Sequence, residues 1–100
     1  MNGETLSEED YKIIINEQNT KCLYKIQALL DMFENFSTLY NMNVLNNNFA
    51  YQAYSENTIF YYSKFKKIIE FCRDQNSDSE YYVNFEECVK KFKRKKSFER

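Results

Sequence analysis

The sequence predicts an all-α protein, a three-helix bundle built on a long antiparallel helical hairpin with a shorter third helix. Three observations predict it. The chain of 100 residues has no proline and one glycine, Gly3, whereas the tight turns of an all-β chain favour residues that accept positive φ or a fixed φ. Apolar residues recur in alternating steps of four and three along two long segments, which is the period of a helix face. Cap-forming and turn residues separate those segments from each other and from a third. A chain of this length holds one core, so we read a single helical domain over 1–92 followed by a basic tail over 93–100. With 43% apolar and 29% charged residues, the composition is that of a folded globular chain rather than a disordered one.

The first helix starts at Ser7-Glu8-Glu9-Asp10, where a hydroxyl can accept from an early backbone N–H and three acids face the positive end of the helix dipole. Its seam is Ile15, Asn19, Cys22, Ile26, Leu29, Phe33, Phe36 and Tyr40, widened by Leu23 and Leu30. Asn19 has two readings. It is a buried amide fixing the register of associating helices, as in a homodimer, or it faces solvent where the helix bends between Asn16 and Thr20. The Asn-rich stretch from Asn41 to Asn48 breaks the period, and Asn suits both the αL end of one helix and the N-cap of the next. The second helix carries Tyr51, Tyr54, Thr58, Tyr61, Phe65, Ile68 and Cys72, widened by Tyr62 and Ile69; two matching faces joined by a short turn pair as a hairpin. Arg73 to Asn76 ends it. Ser77-Asp78-Ser79-Glu80 has the form of a capping box, so a third helix should begin at once. Its seam is Tyr82, Phe85, Val89 and Phe92, flanked by Tyr81 and Cys88, with Phe85 as the anchor on the hairpin.

The residues Tyr61-Tyr62, Phe65, Ile68-Ile69 and Arg73, a polar link, then Tyr81-Tyr82 and Phe85-Glu86 resemble the C-terminal half of an uncharacterised family of helical bacterial proteins. That family is a domain of unknown function often carried behind N-terminal membrane spans. The resemblance runs from about Ile26 to Phe92. It departs from the family in lacking a tryptophan in the second helix, in having Cys88 at a leucine position, and in lacking the spans. It implies the helical fold and no activity; a free-standing version suggests a phage or mobile-element protein. Arg73 then reads as a structural residue, capping the last carbonyls of the second helix and pairing with Glu80 or Asp78.

Chemistry is constrained by what is missing. There is no histidine, the commonest general base and metal ligand. Cys22, Cys72 and Cys88 are odd in number and lack C-x-x-C spacing, which argues against a disulfide framework and a zinc site. Cys22 and Cys72 fall on the predicted buried seams and Cys88 beside one, where thiols are inert. Glu8-Glu9 and Glu86-Glu87 are adjacent on helices and diverge instead of converging on a substrate, and no glycine-rich loop exists to hold a phosphate. The expectation is no catalytic residue, no cofactor and no metal. With neither a leader-like start nor an apolar run of about 18 residues, a reducing, cytoplasmic, bacterial setting is expected, phage-encoded if the Asn-, Lys- and Ile-rich composition reflects AT-rich codons.

Two surfaces remain for binding. Ile13, Ile14, Ile59 and Phe60 fall outside the seams and form a candidate apolar contact with another protein. Lys90 to Lys96 holds six cations on a chain of net charge −1, so Lys93, Arg94, Lys95 and Lys96 form a candidate basic site. The leading expectation is a non-enzymatic interaction protein whose Tyr and Phe side chains supply contact area at low entropic cost. A phage or mobile-element factor acting on a host protein fits it. The alternative is a nucleic-acid-binding protein using the basic tail.

Overall fold

The structure, a computed structural model, describes residues 5–99, so Gly3 and the terminal Arg100 of the basic segment lie outside the described residues. Among the described residues there are five helices and no strand: α1 (Glu8–Ile14), α2 (Lys21–Asn41), α3 (Asn47–Lys64), α4 (Lys66–Gln75) and α5 (Val83–Phe98). The all-α class holds. The expected count of three does not, because two of the expected helices are each divided.

The first division lies between Ile15 and Thr20. Asn16 Oδ1 accepts from the backbone N–H of Gln18 at 2.8 Å, and Asn19 Oδ1 from that of Lys21 at 3.4 Å. Short amide side chains thus replace helical bonds, the competition that disfavours Asn inside helices. Asn19 is exposed in the single chain, and its side chain serves the bend expected between Asn16 and Thr20. Cys22, expected on the buried seam, is exposed in the first turn of α2, whereas Leu23, Leu30, Phe33 and Tyr40 of that seam are buried as expected, together with Ser37. The second division is at Phe65. There the backbone N–H of Leu6 donates to the Lys64 carbonyl at 3.2 Å, and a group inserted into the ladder kinks a helix. Leu6 itself is buried in the core.

The links follow from αL caps. Asn43 (φ 60°) and Ser77 (φ 49°) end α2 and α4. The N–H of Val44 reaches the Leu39 carbonyl at 3.1 Å and that of Asp78 reaches Arg73 at 3.0 Å, the paired bonds of a Schellman motif. Asn46 then caps α3, accepting from the Phe49 N–H at 3.0 Å, so the Asn-rich turn serves both ends as the sequence indicated. At the second link the expectation of an immediate capping box fails. Ser77 is used up in ending α4, Asp78 Oδ1 takes the Glu80 N–H at 2.9 Å, and α5 waits until Val83.

Helix α5 lies between α2 and α3 and carries the core. Phe85 stacks on Phe33 at 5.1 Å and meets Tyr62 edge-on at 5.3 Å. Two turns on, Phe92 meets Tyr40 at 4.7 Å and Tyr51 at 5.7 Å. The pairs 33/85 and 40/92 show that α5 runs parallel to α2 and antiparallel to α3. Phe85 and Phe92 are fully buried, and each such ring contributes roughly 1.5–3 kcal/mol by burial. Where α2 and α5 pass, Ser37 and Cys88 are both wholly buried; small side chains there let the helices approach. Helix α1 rests on α4 through Tyr11 against Phe71 at 6.5 Å.

Candidate interaction surfaces

The polar groups of the molecule concentrate where α2 meets the start of α5. Tyr82, in the αL region at φ 62°, offers no side-chain cap to α5. The cap comes from α2. Glu34 accepts from the backbone N–H of Phe85 at 2.8 Å and of Asn84 at 3.3 Å, and from the Asn84 side chain at 3.0 Å. One carboxylate thereby satisfies two orphan donors at the positive end of a helix. One turn earlier, Asp31 accepts from the Tyr82 hydroxyl at 2.9 Å; burial first, then that bond, raises the Tyr82 pKa above its ordinary value. Asn41 donates to the Asn84 carbonyl at 3.1 Å. Arg73 is structural as expected, with other partners: its Nε donates to the Tyr81 carbonyl at 2.7 Å and its guanidinium pairs with Glu86 at 2.8 Å, not with Asp78 or Glu80. The bond from Arg73 holds the Glu86 carboxyl below its ordinary range. These groups face one another, and their chemistry is that of a clamp between helices.

The four apolar candidates do not form one surface. Ile14 is buried in the core, Ile59 is partly buried and packs against both core clusters, and Phe60 is half-buried edge-on to Tyr61 at 5.0 Å. Ile13 alone is exposed. The sequence reading missed a larger apolar surface. Tyr24, Met32, Leu39 and Met42 are all exposed, and at 3.6 residues per turn they lie with Ala28 along one side of α2, opposite its buried face. The stripe runs about 27 Å from Tyr24 to Met42 at 1.5 Å per residue. Beside it, Phe36 meets Tyr54 edge-on at 5.6 Å and Tyr54 meets the exposed Phe49 at 6.2 Å. The signal was in the sequence, since Tyr24, Met32, Leu39 and Met42 also recur at helical spacing, on the side away from the seam that reaches the core.

The basic segment is helical, because α5 continues through Phe98. Lys95 and Lys96 lie over the Tyr51 ring at 5.0 and 5.1 Å, Lys96 reaches Glu56 at 4.0 Å, and Lys90 pairs with Glu86 at 3.5 Å. Tyr51 donates to Glu99 at 2.8 Å; burial and that bond push its pKa up to about 12. Lys91, Lys93 and Arg94 have no carboxylate within 4 Å among the described residues, and of the four basic candidates Lys93, Arg94 and Lys95 are exposed and Lys96 is partly covered.

An open cleft of about 530 Å³ is lined by Glu70, Arg73, Asp74, Ser77, Asp78 and Ser79. Among the described residues no group of three or more Cys, Asp or Glu side chains is placed to hold a metal ion. Burial pushes the Cys88 thiol up to about 11 and raises that of Cys72, which also accepts from Gln27 at 3.3 Å. A family model described as a domain of unknown function matches residues 2–92. The chain belongs to the DUF4760 family. The resemblance read between Ile26 and Phe92 falls inside the span of that match, and the DUF4760 description supplies no activity. No curated protein and no solved structure matches the chain. Among the described residues no helix is long and apolar enough to cross a membrane.

Proposed function

We propose that this DUF4760 chain is a non-enzymatic interaction module that binds another protein along the outer face of α2. The supporting observation is that α2 is apolar on two opposite faces, one filled by α5 and the other, Tyr24, Met32, Leu39 and Met42, open to solvent. Monomeric proteins rarely leave several large apolar groups on one side of a helix uncovered. Methionines and a tyrosine suit such a contact, since thioethers adapt to irregular partners and aromatic rings add area with little rotamer loss. A phage or mobile-element factor acting on a host protein is one setting in which such a face would serve.

The experiment compares capture by the immobilised wild-type chain with capture by Met32→Ser/Leu39→Ser and by Lys93→Glu/Arg94→Glu. Helicity by circular dichroism confirms that each variant is folded. A partner retained by the wild type and by the charge variant and lost with the α2 variant supports the proposal. Retention by the α2 variant with loss in the charge variant refutes it in favour of the basic end. The nucleic-acid alternative rests on the exposed Lys93 and Arg94. Salt separates it, since phosphate binding weakens steeply between about 50 and 200 mM whereas an apolar contact barely responds.

A further inference from the structure

The parallel run of α5 along α2 brings together two features far apart in sequence. Phe92 sits level with Tyr40, one residue before the end of α2, and with Tyr51 in the first turns of α3. The six residues from Phe92 to Phe98 extend α5 about 9 Å further at 1.5 Å per residue, to the level of the α2–α3 turn. Lys95 and Lys96 stand over the Tyr51 ring and Glu99 accepts from its hydroxyl, four residues into α3, so the basic run from Lys91 to Lys96 lies toward the hairpin end that also carries Met42, Val44 and Phe49. The apolar groups there are widely open to solvent: Met42 is 65%, Val44 62%, Phe49 62% and Phe98 88% exposed.

From this end we infer a docking surface for an anionic lipid bilayer, with Val44, Phe49 and Phe98 entering the interfacial layer and Lys93 and Arg94 meeting the headgroup anions. Charge complementarity selects this occupant. No charged residue occurs from Asn35 to Ser55, so the hairpin can leave water without stranding a charge. The nearby carboxylates are already engaged, Glu99 by the Tyr51 hydroxyl and Glu56 by Lys96, which leaves cations to face outward. Other acids gather elsewhere, with Glu8, Glu9 and Asp10 on α1, Asp74 in the last turn of α4, and Asp78 and Glu80 beyond its end. A molecule so polarised turns its basic end toward a negative surface. The apolar side chains project from a turn and from a helix end instead of lining a groove, the shape that enters a fluid interface and not one that receives a rigid peptide. This surface shares only Met42 with the α2 stripe proposed for protein binding, and the residues substituted to test the two are different.

Co-sedimentation with extruded vesicles tests it, using phosphatidylcholine alone and with about 30% phosphatidylserine, the lipid that gives the cytoplasmic leaflet its negative potential. We expect binding only to the serine-containing vesicles, weakening as salt rises. Lys93→Glu/Arg94→Glu should lower the partition coefficient roughly tenfold or more, the size set by removing two surface cations. Phe49→Ser/Phe98→Ser, at unchanged charge, should lower it severalfold, and Met32→Ser/Leu39→Ser should leave it unchanged. No sedimentation with anionic vesicles at low salt would overturn the inference. So would binding indifferent to the phenylalanine pair, or binding to single-stranded DNA that matches vesicle binding and is equally indifferent to that pair, since both mark simple charge attraction.

Discussion

The α2–α5 clamp and the hairpin end use polar residues in opposite ways. At the clamp, Asp31, Glu34, Arg73, Asn84 and Glu86 bond to one another, to the Tyr82 hydroxyl or to the backbone across helices, so that neither α2 nor α4 can shift against the start of α5 without stranding a partly buried polar group. At the hairpin end beyond Asn41, Asn side chains serve their own turn, as in Asn43 with Asn47 and Asn46 with Phe49, and large apolar groups stay in water. The difference teaches where this fold spends its specificity. Long-range bonds to a charged group fix one arrangement, whereas local caps fix a turn and leave its outer surface free.

The largest expected effect is on the ring that joins the clamp to the core. Phe85→Ala removes a wholly buried side chain seated between Phe33 and Tyr62 and should cost about 3–5 kcal/mol in urea denaturation. A loss near 1 kcal/mol would mean that α5 is held chiefly by its polar contacts. Next, Glu34→Ala leaves the Asn84 and Phe85 N–H groups without their acceptor and should cost about 2 kcal/mol.

Acid and alkali act on the two regions separately. The Glu86 carboxyl, held below its ordinary 4.5 by Arg73, contributes stability that is present above that value and lost as pH falls through the lower, folded value. Arg73→Ala should therefore flatten the acid limb of a stability-against-pH curve. Tyr51 and Cys88 bind their protons more tightly when folded, to about 12 and about 11, so stability falls as pH rises above the ordinary values of 10 and 9. Tyr51→Phe should reduce that alkaline loss without touching the acid limb. The smallest effect is expected on the hairpin end, where Phe49→Ser should change stability by no more than about 0.5 kcal/mol.

Local signals were legible in the sequence and long-range ones were not. Ser7 caps α1, Asn46 caps α3, and Asn43 adopts the αL end of α2, each fixed by chemistry within four residues. The third seam was also read correctly, since Tyr82, Phe85, Val89 and Phe92 are all buried. Ser77 misled because two local motifs compete for it: a capping box for the next helix and an αL end for the previous one, and the second won. Cys22 was misplaced because a heptad pattern assumes an unbroken helix, and two Asn side chains break it. Glu34 could not have been assigned its role, because the donors it satisfies lie 50 and 51 residues away. The core-facing side of α2 was legible, since Leu23, Leu30, Phe33 and Tyr40 of the expected seam are buried, and the open stripe of Tyr24, Met32, Leu39 and Met42 was passed over because apolar residues outside a seam were sought elsewhere.

Urea denaturation of Glu34→Ala beside Leu39→Ser puts the contrast to its most direct test. We expect the first to lose about 2 kcal/mol and the second to stay within about 0.5 kcal/mol of the wild type, because Glu34 closes the clamp and Leu39 faces outward on α2. Equal losses, or the larger loss in Leu39→Ser, would show that the outer face of α2 belongs to the fold and is not free to bind.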